Sequence, residues 1–162
     1  MGRVVNVVVA GIGGQGALKA SDILADAACR AGHDVKKAEI HGMSQRGGSV
    51  QSDVRFGDKV HSPMVPRGEA DFLVVLAADQ IEVNRPALRA GGMILGPELF
   101  DEKALPNRRS LNVALLGALS HHLDIPEALW LDALRAALPE RLHELNEKAF
   151  RVGRETAARL TR

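Results

Sequence analysis

A single cysteine, Cys29, and an aromatic content of 3% are the two scarcities that shape this chain. One thiol cannot close an internal disulfide, and it falls short of the several ligands that a zinc knuckle or an iron–sulfur cluster needs. Cys29 lies in an expected helix and reads as a small buried apolar residue rather than a nucleophile. So few rings leave no stacking platforms of the kind single-strand binders use. Charge of one sign is lacking too. The net charge is +1, without the clustered surplus of Lys and Arg that a nucleic-acid surface requires. No run approaches the ~20 apolar residues of a membrane span. The opening run Arg3 to Ala10 is too short for a signal-peptide core and leads directly into the fold. The expectation is a cytoplasmic protein with neither nucleic acid nor membrane among its partners.

What is present is aliphatic. Hydrophobic residues make up 46% of 162 residues, so the core must be Val, Leu, Ile and Ala. A chain of this length reads as one domain, 1–162, able to bury roughly 70% of its unfolded surface. "RVVNVVVA" (Arg3 to Ala10) is a β-branched run typical of a strand buried on both faces. A helix follows from about Ala17 to Ala31, with Ala20, Leu24, Ala27 and Ala31 on one stripe. "DVKKAEI" is a second strand, with Val35, Ala38 and Ile40 as its apolar positions. This order predicts a βαβ unit closing as a right-handed parallel pair.

In the next strand Val50, Ser52, Val54 and Phe56 share one side, and Gln51, Asp53 and Arg55 the other. Such alternation predicts one wet face and a place at or near a sheet edge, with antiparallel pairing open. Gly57-Asp58 reads as a turn, with Lys59 to His61 as a short returning arm. "DFLVVLAA" (Asp71 to Ala78) is another buried parallel strand. A short helix from Asp79 to Ala90 and a strand near Met93 to Leu95 continue the rhythm. From Asn112 the chain reads as helical: "NVALLGALSHHL", a segment from Pro126 to Leu138, and a last helix over about Arg141 to Arg159. In that last helix Leu142, Leu145, Ala149, Val152 and Thr156 form the apolar stripe. Glu144/Lys148, Glu147/Arg151 and Glu155/Arg159 form i,i+4 pairs on its wet sides. The fold class is therefore α/β: a three-layer α/β/α Rossmann-like, mostly parallel sheet with an antiparallel edge strand or hairpin and a helical C-terminal part.

Two loops carry the chemistry. Gly11-Ile12-Gly13-Gly14-Gln15-Gly16 fits G-x-G-x-x-G directly after a strand and before a helix. There, glycines permit close backbone approach and the helix N-terminus offers N–H groups to an anion. Glu39 lies at roughly the offset of a ribose-binding acid, so an independent NAD(P)-binding enzyme is one reading. The extra glycine Gly14, the amide Gln15, and the polar loop that follows Glu39 weaken it. A tight turn without a ligand is the plainer alternative. The second loop is His41-Gly42-Met43-Ser44-Gln45-Arg46-Gly47-Gly48. Arg46 can grip a carboxylate or phosphate in a bidentate fork, or pair with a carboxylate of this chain or of a partner. His41 can transfer a proton near neutrality or hydrogen-bond backbone in a turn. Gly47 and Gly48 are explained by backbone conformation. His121-His122 are adjacent on a helix, so their side chains diverge and cannot chelate one metal as an i,i+4 pair would. They read as surface or interface residues. Trp130 reads as core or interface.

Taken together, "GIGGQGALKASDILADAACRAGHDVKKAEIHGMSQRGGSVQSDVRFG", "NVALLGAL", and Asn146 with "AF" and Gly153 resemble, in order, the small subunit of the indolepyruvate ferredoxin oxidoreductases. More broadly they resemble the gamma subunit or domain of the 2-oxoacid:ferredoxin oxidoreductases. The resemblance covers nearly the whole chain. It departs between Pro97 and Asn112, where this chain is shorter than many family members.

The resemblance implies a multisubunit enzyme that oxidatively decarboxylates a 2-oxo acid. Thiamine diphosphate with Mg²⁺ forms the carbanion, [4Fe-4S] clusters pass electrons to ferredoxin, and coenzyme A takes the acyl group. This chain has no catalytic residue and no metal site of its own in that scheme, and the redox groups sit on a larger partner subunit. The glycine loop and His41–Gly48 then face a cofactor or a subunit interface. Contact with coenzyme A and self-association of the isolated chain as a homodimer stay open.

Overall fold

The computed structural model describes residues 3–41 and 48–161, with His41 and Glu102 described in backbone only. The chain forms β1 (Val5–Ile12), α1 (Ala17–Arg30), β2 (Asp34–His41), β3 (Ser49–Gly57), β4 (Ala70–Val75), α2 (Ile81–Asn84) and β5 (Leu88–Leu95). Three further helices follow: α3 (Leu111–His121), α4 (Glu127–Ala137) and α5 (His143–Leu160). The five strands lie in the order β2-β3-β1-β4-β5. β1, β4 and β5 are parallel, and β3 runs antiparallel to both its neighbours.

This order corrects the expected pairing of β1 with β2. β1 and β2 do not form a parallel pair, because β3 folds back between them and pairs with each along its length. β3 lies next to the sheet edge and runs antiparallel, in keeping with its alternation, and β2 is the edge strand of the hairpin. The apparent wet face of β3 misled because polar partners fill it. Asp53 is only 1% exposed. Its carboxylate accepts from Gln51 Nε2 at 2.8 Å and from the Val65 N–H at 2.9 Å. Arg55 donates to Asn6 Oδ1 at 2.8 Å and to the Ser62 carbonyl at 2.9 Å. A buried polar face is tolerable when its groups are satisfied in this way. Lys59 to His61 forms no strand and belongs to the irregular segment that supplies those carbonyls.

Helices cover both faces, unevenly. The long helices α1, α3, α4 and α5 pack on the face carrying Val7, Val9, Val54 and Val74. The opposite face, with Val8, Leu73 and Val75, is covered by Val65, Ile81 and Ala87 from short turns. The expected helix to Ala90 ends sooner, and β5 already begins at Leu88. Helix α3 is buried at every position from Asn112 to Ser120, which explains its unbroken apolar sequence. It crosses α5 where Gly117 and Gly153 face the partner helix: a Cβ on Gly153 would run into the Ala114 carbonyl, and one on Gly117 into that of Phe150. Trp130 is core, fully buried with its ring centroid 5.8 Å from that of Phe150.

The α5 stripe is rotated from expectation. Ala149 and Thr156 are buried as expected, but Asn146, Phe150, Gly153 and Ala157 are buried with them, while Leu142, Leu145 and Val152 are only half-buried. Small residues on that side let the backbones approach, and close contact outweighs the larger side chains beside it. Glu147 and Arg151 do not pair with each other. Glu147 binds Arg135 of α4, and Arg151 lies 3.9 Å from Glu127 of the same helix. Cys29 is exposed rather than buried, because α1 turns Ala20, Leu24, Ala27 and Ala28 inward and leaves position 29 outside that stripe. His121 and His122 are half-buried, and their rings meet edge-on with centroids 5.1 Å apart instead of diverging. Among the described residues, no helix is long and apolar enough to cross a membrane.

Asp71 ties β1, β4 and β5 together at one end of the sheet. Its carboxylate accepts from the Asn6 N–H at 2.8 Å, from Arg89 Nε at 2.7 Å, and from Arg3 Nη2. Burial alone would raise its pKa, but the Asn6 amide and the two guanidiniums outweigh burial and hold it below the usual carboxylate range. A carboxyl held low contributes stability that is present above its unfolded pKa and lost as pH falls through its folded pKa. Asp71→Asn should therefore cost about 2 kcal/mol at pH 7. Urea denaturation across pH should show the wild-type advantage shrinking below about pH 4. Gly153→Ala should lower stability by at least about 2 kcal/mol in the same assay, although alanine favours an exposed helix by about 1 kcal/mol.

Candidate functional site

β1 delivers the glycine loop to the sheet end where the parallel strands β1 and β4 finish. The Ile12 N–H donates to Gln15 Oε1 at 2.8 Å, and the Gln15 N–H donates to the Ile12 carbonyl at 3.2 Å. The Gln15 side chain thus closes the turn from within. Gly16 is the N-cap of α1 at φ 85°, in the left-handed region that costs other residues roughly 1–2 kcal/mol. A Cβ at Gly16 would also lie 2.5 Å from Asn112 Nδ2. Asn112, in the first turn of α3, donates to the Gly16 carbonyl at 3.2 Å. Two requirements therefore fix glycine at this position, one from conformation and one from space. The first turn of α1 has neither a side-chain cap nor an acidic residue, so its leading N–H groups face outward with partial positive charge.

The second loop springs from the same end. β2 finishes at His41, β3 resumes at Ser49, and His41 pairs with Val50 across the hairpin. The Gly13 N–H donates to the Gly48 carbonyl at 3.1 Å, which stitches the returning end of this loop to the glycine loop. Gly42, Met43, Ser44, Gln45, Arg46, Gly47 and the His41 side chain lie outside the described residues.

The glycine loop opens onto a cleft of about 500 Å³, whose other wall holds Arg108, Arg109 and Leu111. These arginines come from the short segment before α3, where the Asn107 side chain accepts the Arg109 N–H at 2.9 Å and starts the helical turn. Sequence reasoning missed them. The signal was present: paired cations just before a helix oppose the helix dipole, so something else must favour them there. The cleft combines two guanidiniums, a helix N-terminus and bare glycine backbone, a donor set suited to phosphate or carboxylate. Among the described residues it supplies no paired acid and base, and no three His, Cys, Asp or Glu are grouped to hold a metal ion.

The geometry also bears on a dinucleotide. Glu39 stands on the edge strand with β3 between it and β1, and its carboxylate takes Lys37 Nζ at 2.8 Å. Burial alone would depress the Lys37 pKa, but Asp22 and Glu39 outweigh it and hold it above the ordinary lysine value. Glu39 is thus engaged in a salt bridge away from the first βα turn, and no observation supports the NAD(P) reading.

The chain and its fold have clear relatives. A family model described as pyruvate ferredoxin/flavodoxin oxidoreductase matches residues 6–106. The indolepyruvate oxidoreductase subunit IorB of Thermococcus kodakarensis is 34% identical, over 94% of this chain and 95% of its own. Two solved structures share the fold. The gamma subunit of a keto/oxoacid ferredoxin oxidoreductase from Geobacter sulfurreducens superposes with a TM-score of 0.80 at 24% identity, covering 97% of this chain and 98% of that one. The 2-oxoglutarate:ferredoxin oxidoreductase of Magnetococcus marinus, determined with 2-oxoglutarate, coenzyme A and succinyl-CoA bound, gives a TM-score of 0.84 at 22% identity, covering 97% of this chain and 31% of that one. A family match over more than half the chain, and a relative aligned almost end to end, lead to one conclusion: this chain belongs to the pyruvate ferredoxin/flavodoxin oxidoreductase family.

Proposed function

We propose that this chain is the small, non-thiamine subunit of a cytoplasmic 2-oxoacid ferredoxin oxidoreductase acting on indolepyruvate or a related arylpyruvate. In this reading the glycine cleft is what the chain contributes to the assembled enzyme. Oxidative decarboxylation takes place on a larger partner that carries thiamine diphosphate, Mg²⁺ and [4Fe-4S] clusters, with ferredoxin taking the electrons. A lone exposed Cys29 does not fit a cluster, so the residues of this chain offer no place for that redox group.

The observation that carries the reading is the convergence of Gly14, Gly16, Arg108 and Arg109 on one cleft at the sheet end where both loops emerge. Coenzyme A fits this donor set through its phosphates. Arg108 and Arg109 would meet phosphate oxygens, and the first N–H groups of α1 would take a further oxygen across the bare glycine backbone. Gln15 and Asn112 also line the cleft. They hold the loop in shape, through Ile12 and Gly16 respectively. Coenzyme A is the acyl acceptor, and the groups of this chain orient it without entering the bond-making step. The His41–Gly48 loop, with Arg46 as its charged residue, would complete the site or meet the partner subunit.

Two measurements test this. In a complex reconstituted with its larger subunit, Arg109→Ala should raise KM for coenzyme A about tenfold and leave kcat within about twofold. An unchanged KM in an intact complex would exclude the ligand role. The isolated chain should be colourless and inactive on indolepyruvate, and turnover by the purified chain alone would overturn the subunit assignment.

A further inference from the structure

A second cavity, of about 270 Å³, lies at the opposite end of the sheet, where β1, β4 and β5 begin and β3 ends. It is smaller than the roughly 300 Å³ at which pockets for drug-sized ligands begin. Two ring pairs line it. His33 lies with its ring centroid 5.4 Å from Phe56, and His122 lies 6.0 Å from Phe72. Burial, and then the neighbouring His121, push the His122 pKa down, which favours the uncharged ring as an apolar wall.

The polar part of the cavity has a built base. Asp71, 5% exposed, holds Arg3 and Arg89 on one carboxylate oxygen, while its other oxygen is taken by the Asn6 N–H at 2.8 Å. Arg89 is further fixed by donating from Nη1 to the Ala90 carbonyl at 2.9 Å. Two guanidiniums against one carboxylate leave a surplus positive charge, with N–H groups beyond those that Asp71 accepts. The connection between α3 and α4 brings Leu123 and the exposed carboxylate of Asp124 to the same cavity. The titratable groups lining it are thus Arg3, His33, Asp71, Arg89, His122 and Asp124.

We propose that this cavity binds an aromatic α-amino acid, its carboxylate on the Arg3–Arg89 pair, its ammonium on Asp124, and its ring against the Phe and His walls. A zwitterion matches both charges of the cavity. A simple arylcarboxylate satisfies only the arginines. The proposal is independent of the glycine cleft, which lies at the far end of β1 and is built from other residues.

The test is titration of the full chain with L-phenylalanine and with phenylacetate, followed by amide chemical shifts. Phenylalanine should bind with a dissociation constant of about 1 mM or tighter, with shifts centred on His33, Asp71 and Leu123. Asp124→Asn, an exposed change that leaves the core alone, should weaken phenylalanine about fivefold and leave phenylacetate unchanged. Arg89→Gln should weaken both about tenfold or more. No shifts at concentrations up to about 10 mM would overturn the proposal, as would affinities that neither variant moves. Equal loss of both ligands on Asp124→Asn would overturn the ammonium contact that defines the ligand class.

Discussion

The clasp between Asn112 and Gly16 is the contact on which the candidate site depends. It requires α3 to lie close enough to the glycine loop for an amide to reach the Gly16 carbonyl, with no side chain between. That closeness is set deeper in the molecule. α3 is buried on every side, and its crossing with α5 is held tight by Gly117 and Gly153, where even one Cβ would collide with backbone. Core packing and loop geometry are therefore one constraint seen at two ends of a helix. Loosening the α3–α5 crossing would also loosen the position of Arg108 and Arg109, which directly precede α3. Interiors packed this densely transmit displacement instead of absorbing it.

Much of the fold could be read from periodicity. The buried runs of β1 and β4, the glycine turn and the amphipathic α1 follow from local pattern. What the polar face of β3 meets does not, because alternation cannot distinguish a face wet with solvent from one satisfied by Asn6, Gln51 and distant carbonyls. The same ambiguity hid Cys29, whose burial depended on a single step around a helix. For α5, the sequence pattern favoured leucine and valine, while the packing chose Gly153 because backbone proximity was worth more. Arg108 and Arg109 went unread for another reason. They lie far from the glycine loop along the chain, and only the packing of α3 brings them to it. Family resemblance supplied the subunit context, which neither spacing nor composition could provide.

The two ends of the sheet have different chemistry. At the end bearing the glycine loop, donors gather around one cleft: glycine backbone, a helix N-terminus and two guanidiniums. At the other end both signs line one cavity, with Asp71 anchoring Arg3 and Arg89 among aromatic walls and Asp124 at the rim. The first arrangement suits a polyanion brought by a larger assembly. The second suits a small ligand of balanced charge. Both use the same principle, in which buried or capped groups hold exposed ones in place, so that a ligand meets a formed surface and pays little ordering entropy.

The central claim is that the glycine cleft is this chain's contribution to the assembled enzyme, as a seat for the phosphates of coenzyme A. Hydrogen exchange on the assembled complex, with and without coenzyme A, tests it most directly. The account predicts slowed exchange of the amides from Gly13 to Lys19 and from Arg108 to Asn112 when coenzyme A is added, with the far end of the sheet unchanged. Exchange that is the same in both states at those amides would contradict it.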